Sequence, residues 1–236
     1  YLTGYENKLQ KNLIDGFTLG FRLYFQGPYK ASGAQNLMSA LQHPEVVDSK
    51  LIKERQSGHI LGPFTYPPFS NLRVSPLGVI PKKAPGEFRL IHHYGDSVKT
   101  SIPPEFSTVK YATEDDAINF IKVLGQSCVL AKTDVRSAFL IIPVHPPDHP
   151  LLGFQWKGQW HYDRCLPMGC SSSCKTLERL STAMEWIDCN KLGIPHILDD
   201  FLTIRESTQA CQANLYSHYK SSKAGFANMG NVFPLL

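Results

Sequence analysis

Two adjacent carboxylates, Asp199 and Asp200, lie inside an apolar stretch that runs from residue 196 to 204. Like charges side by side in a nonpolar setting are strongly unfavourable unless a cation neutralises them. Hard divalent ions such as Mg²⁺ use carboxylate oxygens, usually one or two carboxylates together with substrate phosphates. A third acid, Asp134, follows a separate strand-like run, residues 128–133, and could complete the set. Two ions about 3.5–4 Å apart would activate a hydroxyl nucleophile and stabilise the leaving phosphate oxygen in an in-line displacement. The plainer reading puts Asp199-Asp200 in an exposed turn, where Asp is common. Apolar flanks on both sides favour the metal-binding one.

The surrounding pattern supplies elements to position these acids. Residues 196–204 read as a buried hairpin with the carboxylates at its tip. Residues 77–80 and 88–91 are apolar runs on either side of a Pro- and Gly-containing turn, a hairpin with Lys82 and Lys83 near its tip. Thr113 caps a helix with an acidic first turn and a core face of Ala117, Phe120, Ile121 and Leu124, closed by Gly125. There Asp115 and Asp116 read as dipole-complementing surface acids. A Lys157-Gly158 turn joins two short β stretches, and the helix after Gly169 carries an apolar stripe of Leu177, Leu180, Met184 and Ile187, with Gly193 closing the region. Pro44 opens an earlier helix, and the Pro- and Gly-rich segment 62–76 reads as an extended crossover. Three zones result: a helical lead-in over 1–60, a central region over 61–206, and a tail over 207–236 without sustained periodicity.

Composition narrows the class without naming a function. With 236 residues and 42% hydrophobic content the chain can bury a substantial core, and 19% charged residues argues against disorder or a coiled coil. A net charge of +4 is compatible with a polyanionic partner but does not require one. The six cysteines include no C-x-x-C pair, so buried free thiols are favoured over a zinc site. No apolar run approaches the roughly 18 residues of a membrane span, and no signal peptide is visible. The chain begins at Tyr1 rather than Met, as expected of a fragment.

With these residues in view, a family resemblance emerges. Asp134-Val135-Arg136-Ser137-Ala138-Phe139 resembles the first palm motif of reverse transcriptases, Leu166-Pro167-Met168-Gly169 their LPxG turn, and Ile197-Leu198-Asp199-Asp200 their YxDD box. Val74-Ser75-Pro76-Leu77-Gly78-Val79-Ile80-Pro81-Lys82-Lys83, Arg89-Leu90-Ile91-His92-His93, Leu130-Ala131-Lys132-Thr133-Asp134 and Cys165-Leu166-Pro167-Met168-Gly169-Cys170 resemble the polymerases of DIRS-type (tyrosine-recombinase) retrotransposons. The similarity runs to about residue 206. It departs from the family at Ile197, where an aromatic is usual, in the shortened segment 94–100, and after Ile204, where no primer grip or thumb is recognisable.

The resemblance implies an α+β fold: right-hand polymerase fingers and palm, with an antiparallel palm sheet packed on helices and no thumb. It implies an RNA-directed DNA polymerase that extends a primer from dNTPs with two Mg²⁺ or Mn²⁺ ions. Asp134, Asp199 and Asp200, with the Val135 backbone, would be metal ligands. Lys82, Lys83 and Arg89 would grip the triphosphate, Phe139 would gate against a ribose 2′-hydroxyl, and Met168 and Gly169 would touch template and incoming nucleotide. Partners would be an RNA or DNA template-primer and dNTP, with no membrane; a ribonuclease H or recombinase would lie outside this chain. The compartment, nucleus or cytoplasm, stays open. A catalytically inactive or domesticated retroelement remnant that binds nucleic acid or protein is the competing expectation. A divalent-metal nuclease using the same acids ranks lower, because it needs neither Phe139 nor the LPxG-like turn.

Overall fold

The computed structural model describes residues 2–93, 101–125, 127–189, 195–213, 227–228 and 232–234. Its helices are α1 (Asn7–Leu19), α2 (Met38–Gln42), α3 (Pro44–Gln56), α4 (Glu114–Leu124) and α5 (Ser171–Cys189). The first strands are β1 (Ile60–Phe64), β2 (Leu77–Pro81), β3 (Phe88–His92), β4 (Val129–Val135), β5 (Gly153–Trp156) and β6 (Gln159–Asp163). Then come β7 (His196–Ile197), β8 (Asp200–Arg205), β9 (Ala227–Asn228) and β10 (Val232–Pro234). The chain divides into two compact units, each assembled from separated stretches. The first comprises residues 1–14, 109–138 and 174–236, the second residues 15–108 and 139–173.

The first unit is built on an antiparallel sheet of order β10-β4-β8-β7, with β9 also pairing with β4. Its β4 alternates buried and open positions: Val129, Ala131, Thr133 and Val135 face inward, while Leu130, Lys132 and Asp134 occupy the other face. That period of two is what a half-buried strand requires. Helix α4 starts on a capping box in which Thr113 and Asp116 exchange hydrogen bonds, and it ends at Gly125 with φ +87°. Ala117, Phe120, Ile121 and Leu124 are its half-buried side, as the spacing predicts.

The second unit holds a three-stranded sheet, β1-β6-β5, and the two-stranded β2-β3 hairpin. Ala40, Val47, Leu51, Ile60, Leu77, Val79, Phe154 and Trp156 form its main core. The β5-β6 turn takes Lys157 and Gly158 at φ +48° and +77°, the left-handed pair that a two-residue hairpin needs. Asp148, fully buried, binds this unit's N-terminal stretch. It accepts two hydrogen bonds from the Arg22 guanidinium at 2.9 and 3.0 Å, one from Leu23 N–H at 2.7 Å and one from the Tyr29 hydroxyl at 3.0 Å.

Several expectations are corrected. Residues 60–64 form a strand paired with β6, so the crossover begins later than its Pro and Gly content suggests. On α5 the fully buried positions include Ser172, Ser173, Thr176, Leu177, Ser181 and Ala183, whereas Leu180, Met184 and Ile187 are only half-buried. The tail supplies β9 and β10, both paired with β4. The expected shortening at 94–100 and the closing Gly193 lie outside the described residues. The cysteines described are free thiols; Cys128, Cys165, Cys170 and Cys211 are buried. Burial pushes the Cys165 thiol up to about 12, which leaves it protonated at neutral pH. Among the described residues, no helix is long and apolar enough to cross a membrane.

Candidate active site

The three aspartates lie at the end of β4, in the turn before β8 and at the first residue of β8. Asp134 and Asp200 are direct cross-strand partners in the β4-β8 register. Opposite residues of an antiparallel pair project to the same face with Cβ atoms about 4.5–5.5 Å apart. Asp199 sits in the turn itself, and its carbonyl accepts a hydrogen bond from Val135 N–H at 3.0 Å. The Val135 backbone is thus at the site, with its N–H committed to the turn. Leu198, just before the acids, has φ +56°, a left-handed conformation uncommon for a branched side chain.

The electrostatics are those of crowded anions. Burial comes first in pushing the Asp134 carboxyl above the usual carboxylate range, and the charges of Asp199 and Asp200 push it further. Asp199 is likewise raised, first by burial and then by Asp200, against a hydrogen bond from its own backbone N–H. Lys132, two residues before Asp134 and therefore on its face, opposes both shifts and donates to Asp200 Oδ2 at 2.9 Å. Its own pKa is raised, chiefly by that hydrogen bond. The hairpin is less buried than its sequence suggests. Ile197 is 50% exposed and the Asp200 side chain 49%, while Phe201, Thr203, Ile204 and Arg205 carry the burial.

Among the described residues, no three His, Cys, Asp or Glu side chains close into a ready-made metal-binding group. With Asp200 turned to Lys132, the acids that remain are Asp134 and Asp199. Two carboxylates completed by substrate phosphates are an ordinary Mg²⁺ donor set. The uncompensated charge there is also what a cation would relieve, so the residues present fit the ion in that open form.

The other predicted residues belong to the second unit. Lys82, Lys83 and Arg89 are exposed on the β2-β3 hairpin, and Lys82 pairs with Glu87 at 3.1 Å. Phe139 is half-buried, Met168 is 54% exposed, and Gly169 has φ +91°. Nearby in the same unit, Trp156 and Tyr162 are buried in sheet packing: Trp156 Nε1 donates to Asp48 at 2.8 Å, and Tyr162 packs on Phe64 and Phe69. Sequence reasoning missed three residues that support the Asp199-Asp200 turn, namely Glu178, Glu185 and His196. Leu198 N–H donates to Glu178 Oε2 at 3.1 Å, and His196 lies between Glu178 at 3.3 Å and Glu185 at 3.0 Å. The i, i+7 spacing of the two glutamates, on one face of α5, was the available signal.

No protein-family model matches the chain, and no curated protein matches it. Solved structures do. The native prototype foamy virus protease-reverse transcriptase superposes with a TM-score of 0.61 at 17% identity, over 86% of this chain and 25% of that one. The foamy viral protease-reverse transcriptase dRH in complex with double-stranded DNA gives 0.62 at 16%, over 89% and 34%. The same kind of enzyme in complex with an RNA/DNA hybrid gives 0.65 at 16%, over 98% and 32%. The chain thus spans between 25% and 34% of the length of these proteins. The fold is mixed helix and antiparallel sheet, similar to that of the foamy virus protease-reverse transcriptase structures.

Proposed function

We propose that this chain is the fingers-and-palm core of an RNA-directed DNA polymerase of the DIRS-type retrotransposon class. The observation that carries the reading is the β4-β8 register, which sets Asp134 opposite Asp200 with Asp199 beside them in the turn. Nothing in the packing of a sheet requires three acids at one strand end, and their mutual repulsion opposes it.

Asp134 and Asp199 would hold Mg²⁺ or Mn²⁺, which when bound would lower the pKa of a primer 3′-hydroxyl and neutralise charge on the triphosphate. The chain's own contribution is positioning. The β4-β8 ladder fixes the spacing of the two acids, and the Val135–Asp199 hydrogen bond ties the turn to the strand end. Lys132 screens the third carboxylate. The cations of the β2-β3 hairpin, Lys83 and Arg89 above all, would grip the triphosphate, and Phe139 would act as the gate at the sugar. Template-primer and dNTP are the partners this reading requires, with ribonuclease H and recombinase outside the chain.

The second reading, a remnant that binds nucleic acid without turning over, is favoured by one observation: Ile197 stands half-exposed where the resembled family has an aromatic. Primer extension on an RNA template separates the two. The polymerase reading expects divalent-dependent extension by the parent chain and none above background by Asp134→Asn or Asp199→Asn, with folding intact. Binding of template-primer by parent and variants alike, with no extension by any of them, supports the remnant.

A further inference from the structure

Glu178 is held in an unusual position for a charged residue. It sits on α5 with its side chain 15% exposed, and burial leads in pushing its carboxyl above the ordinary range. Its two oxygens do different things. Oε2 accepts the Leu198 N–H at 3.1 Å, and Oε1 lies 3.3 Å from His196 Nε2. The other ring nitrogen of His196, Nδ1, lies 3.0 Å from Glu185 Oε2, two helical turns further along α5. His196 is 7% exposed and stacked on Phe201, its cross-strand partner, with ring centroids 5.2 Å apart. One carboxylate therefore accepts a hydrogen bond from the left-handed residue of the turn and lies within ion-pair distance of the histidine on the strand that enters the hairpin. On the far side of the turn the Asp199 carbonyl is held by Val135. Asp199 is fixed between α5 and β4.

We infer that Glu178 is a positioning residue for Asp199: its hydrogen bond to Leu198 N–H holds the turn that sets Asp199 beside Asp134, with His196, held by Glu185, next to the Glu178 carboxylate. The inference rests on the metal-binding reading of those acids. Left-handed Leu is sparsely populated and persists only where its surroundings over-determine it.

The intact 236-residue chain tests this with Glu178→Met, which removes the acceptor at similar volume, and Glu178→Gln, which keeps it. Two quantities are read: hydrogen exchange at the Leu198 amide, and the Mn²⁺ dissociation constant by electron paramagnetic resonance. Supporting-shell substitutions typically weaken metal binding by about 10–100-fold. The expected result is a loss in that range for Glu178→Met together with faster Leu198 exchange, and values near the parent for Glu178→Gln. Parent-like affinity and exchange in a folded Glu178→Met overturn the inference, as does an equal loss in both variants. If Glu178→Met does not fold, Glu178→Asp takes its place, since it keeps the charge but shortens the reach to Leu198; the same outcomes apply. A parent that binds no Mn²⁺ sinks the metal reading, and the Leu198 exchange pattern then decides the positioning role alone.

Discussion

At the scale of single residues the site is a place where folding works against itself. Asp134 and Asp199 both have pKa values raised above the ordinary range, chiefly by burial and then by neighbouring carboxylates. The folded chain then holds these protons more tightly than the unfolded one, so their ionised forms weaken folding above the carboxylate range. The penalty fades as pH falls and both become protonated. Asp199→Asn should therefore raise the Tm of the metal-free protein at neutral pH, and the gain should shrink toward pH 4; a lower Tm at neutral pH would contradict the crowding. The opposite sign holds at His161, buried and stacked on Phe154, whose pKa is lowered to about 4 by burial and then by Arg55. Its neutral form favours folding fully above the unfolded pKa of about 6.5, and that contribution is lost as pH falls from there toward 4. In His161→Phe the acid side of the stability profile should flatten, as pH-dependent denaturation would show. Asp148→Ala should cost about 1–3 kcal/mol, because it leaves the buried Leu23 N–H without its acceptor, while the half-exposed Arg22 side chain can turn to water.

Elements show where the sequence was informative. Turn and cap chemistry is local, so it could be read directly. Lys157-Gly158 supplies the left-handed pair of the β5-β6 turn, and Thr113 caps α4; Asp116, which from sequence reads only as a dipole-complementing acid, also accepts from Thr113 N–H and completes a capping box. Thr113→Ala should cost about 1 kcal/mol by chemical denaturation. The candidate acids were equally legible, since an Asp pair between apolar runs is a local conflict that invites a chemical cause. What could not be read depends on partners distant in sequence. The buried face of α5 is chosen by what packs on it, so Ser172, Thr176 and Ser181 go inside while part of the predicted apolar stripe stays half-exposed. Strands β9 and β10 are two and three residues long, too short to carry a period, and exist through their pairing with β4. Glu178 escaped notice for the same reason: its value lies in meeting Leu198, twenty positions away and on another element.

On the scale of the whole molecule, two units are woven from alternating stretches of one chain, and the acids fall entirely within the first. All three come from the β4 end and the β7-β8 hairpin, so their geometry is a property of that unit's sheet and of α5. The similarity to foamy virus enzymes extends over 86–98% of this chain but 25–34% of those, which places the fold while leaving function to be carried by these residues. The most direct measurement is Mn²⁺ binding by electron paramagnetic resonance on the parent, Asp134→Asn and Asp199→Asn. The account predicts a saturable site in the parent, weakened at least about tenfold by either substitution, since each removes one of the few carboxylates such an ion uses. Equal binding by all three proteins, or none by the parent, would contradict it.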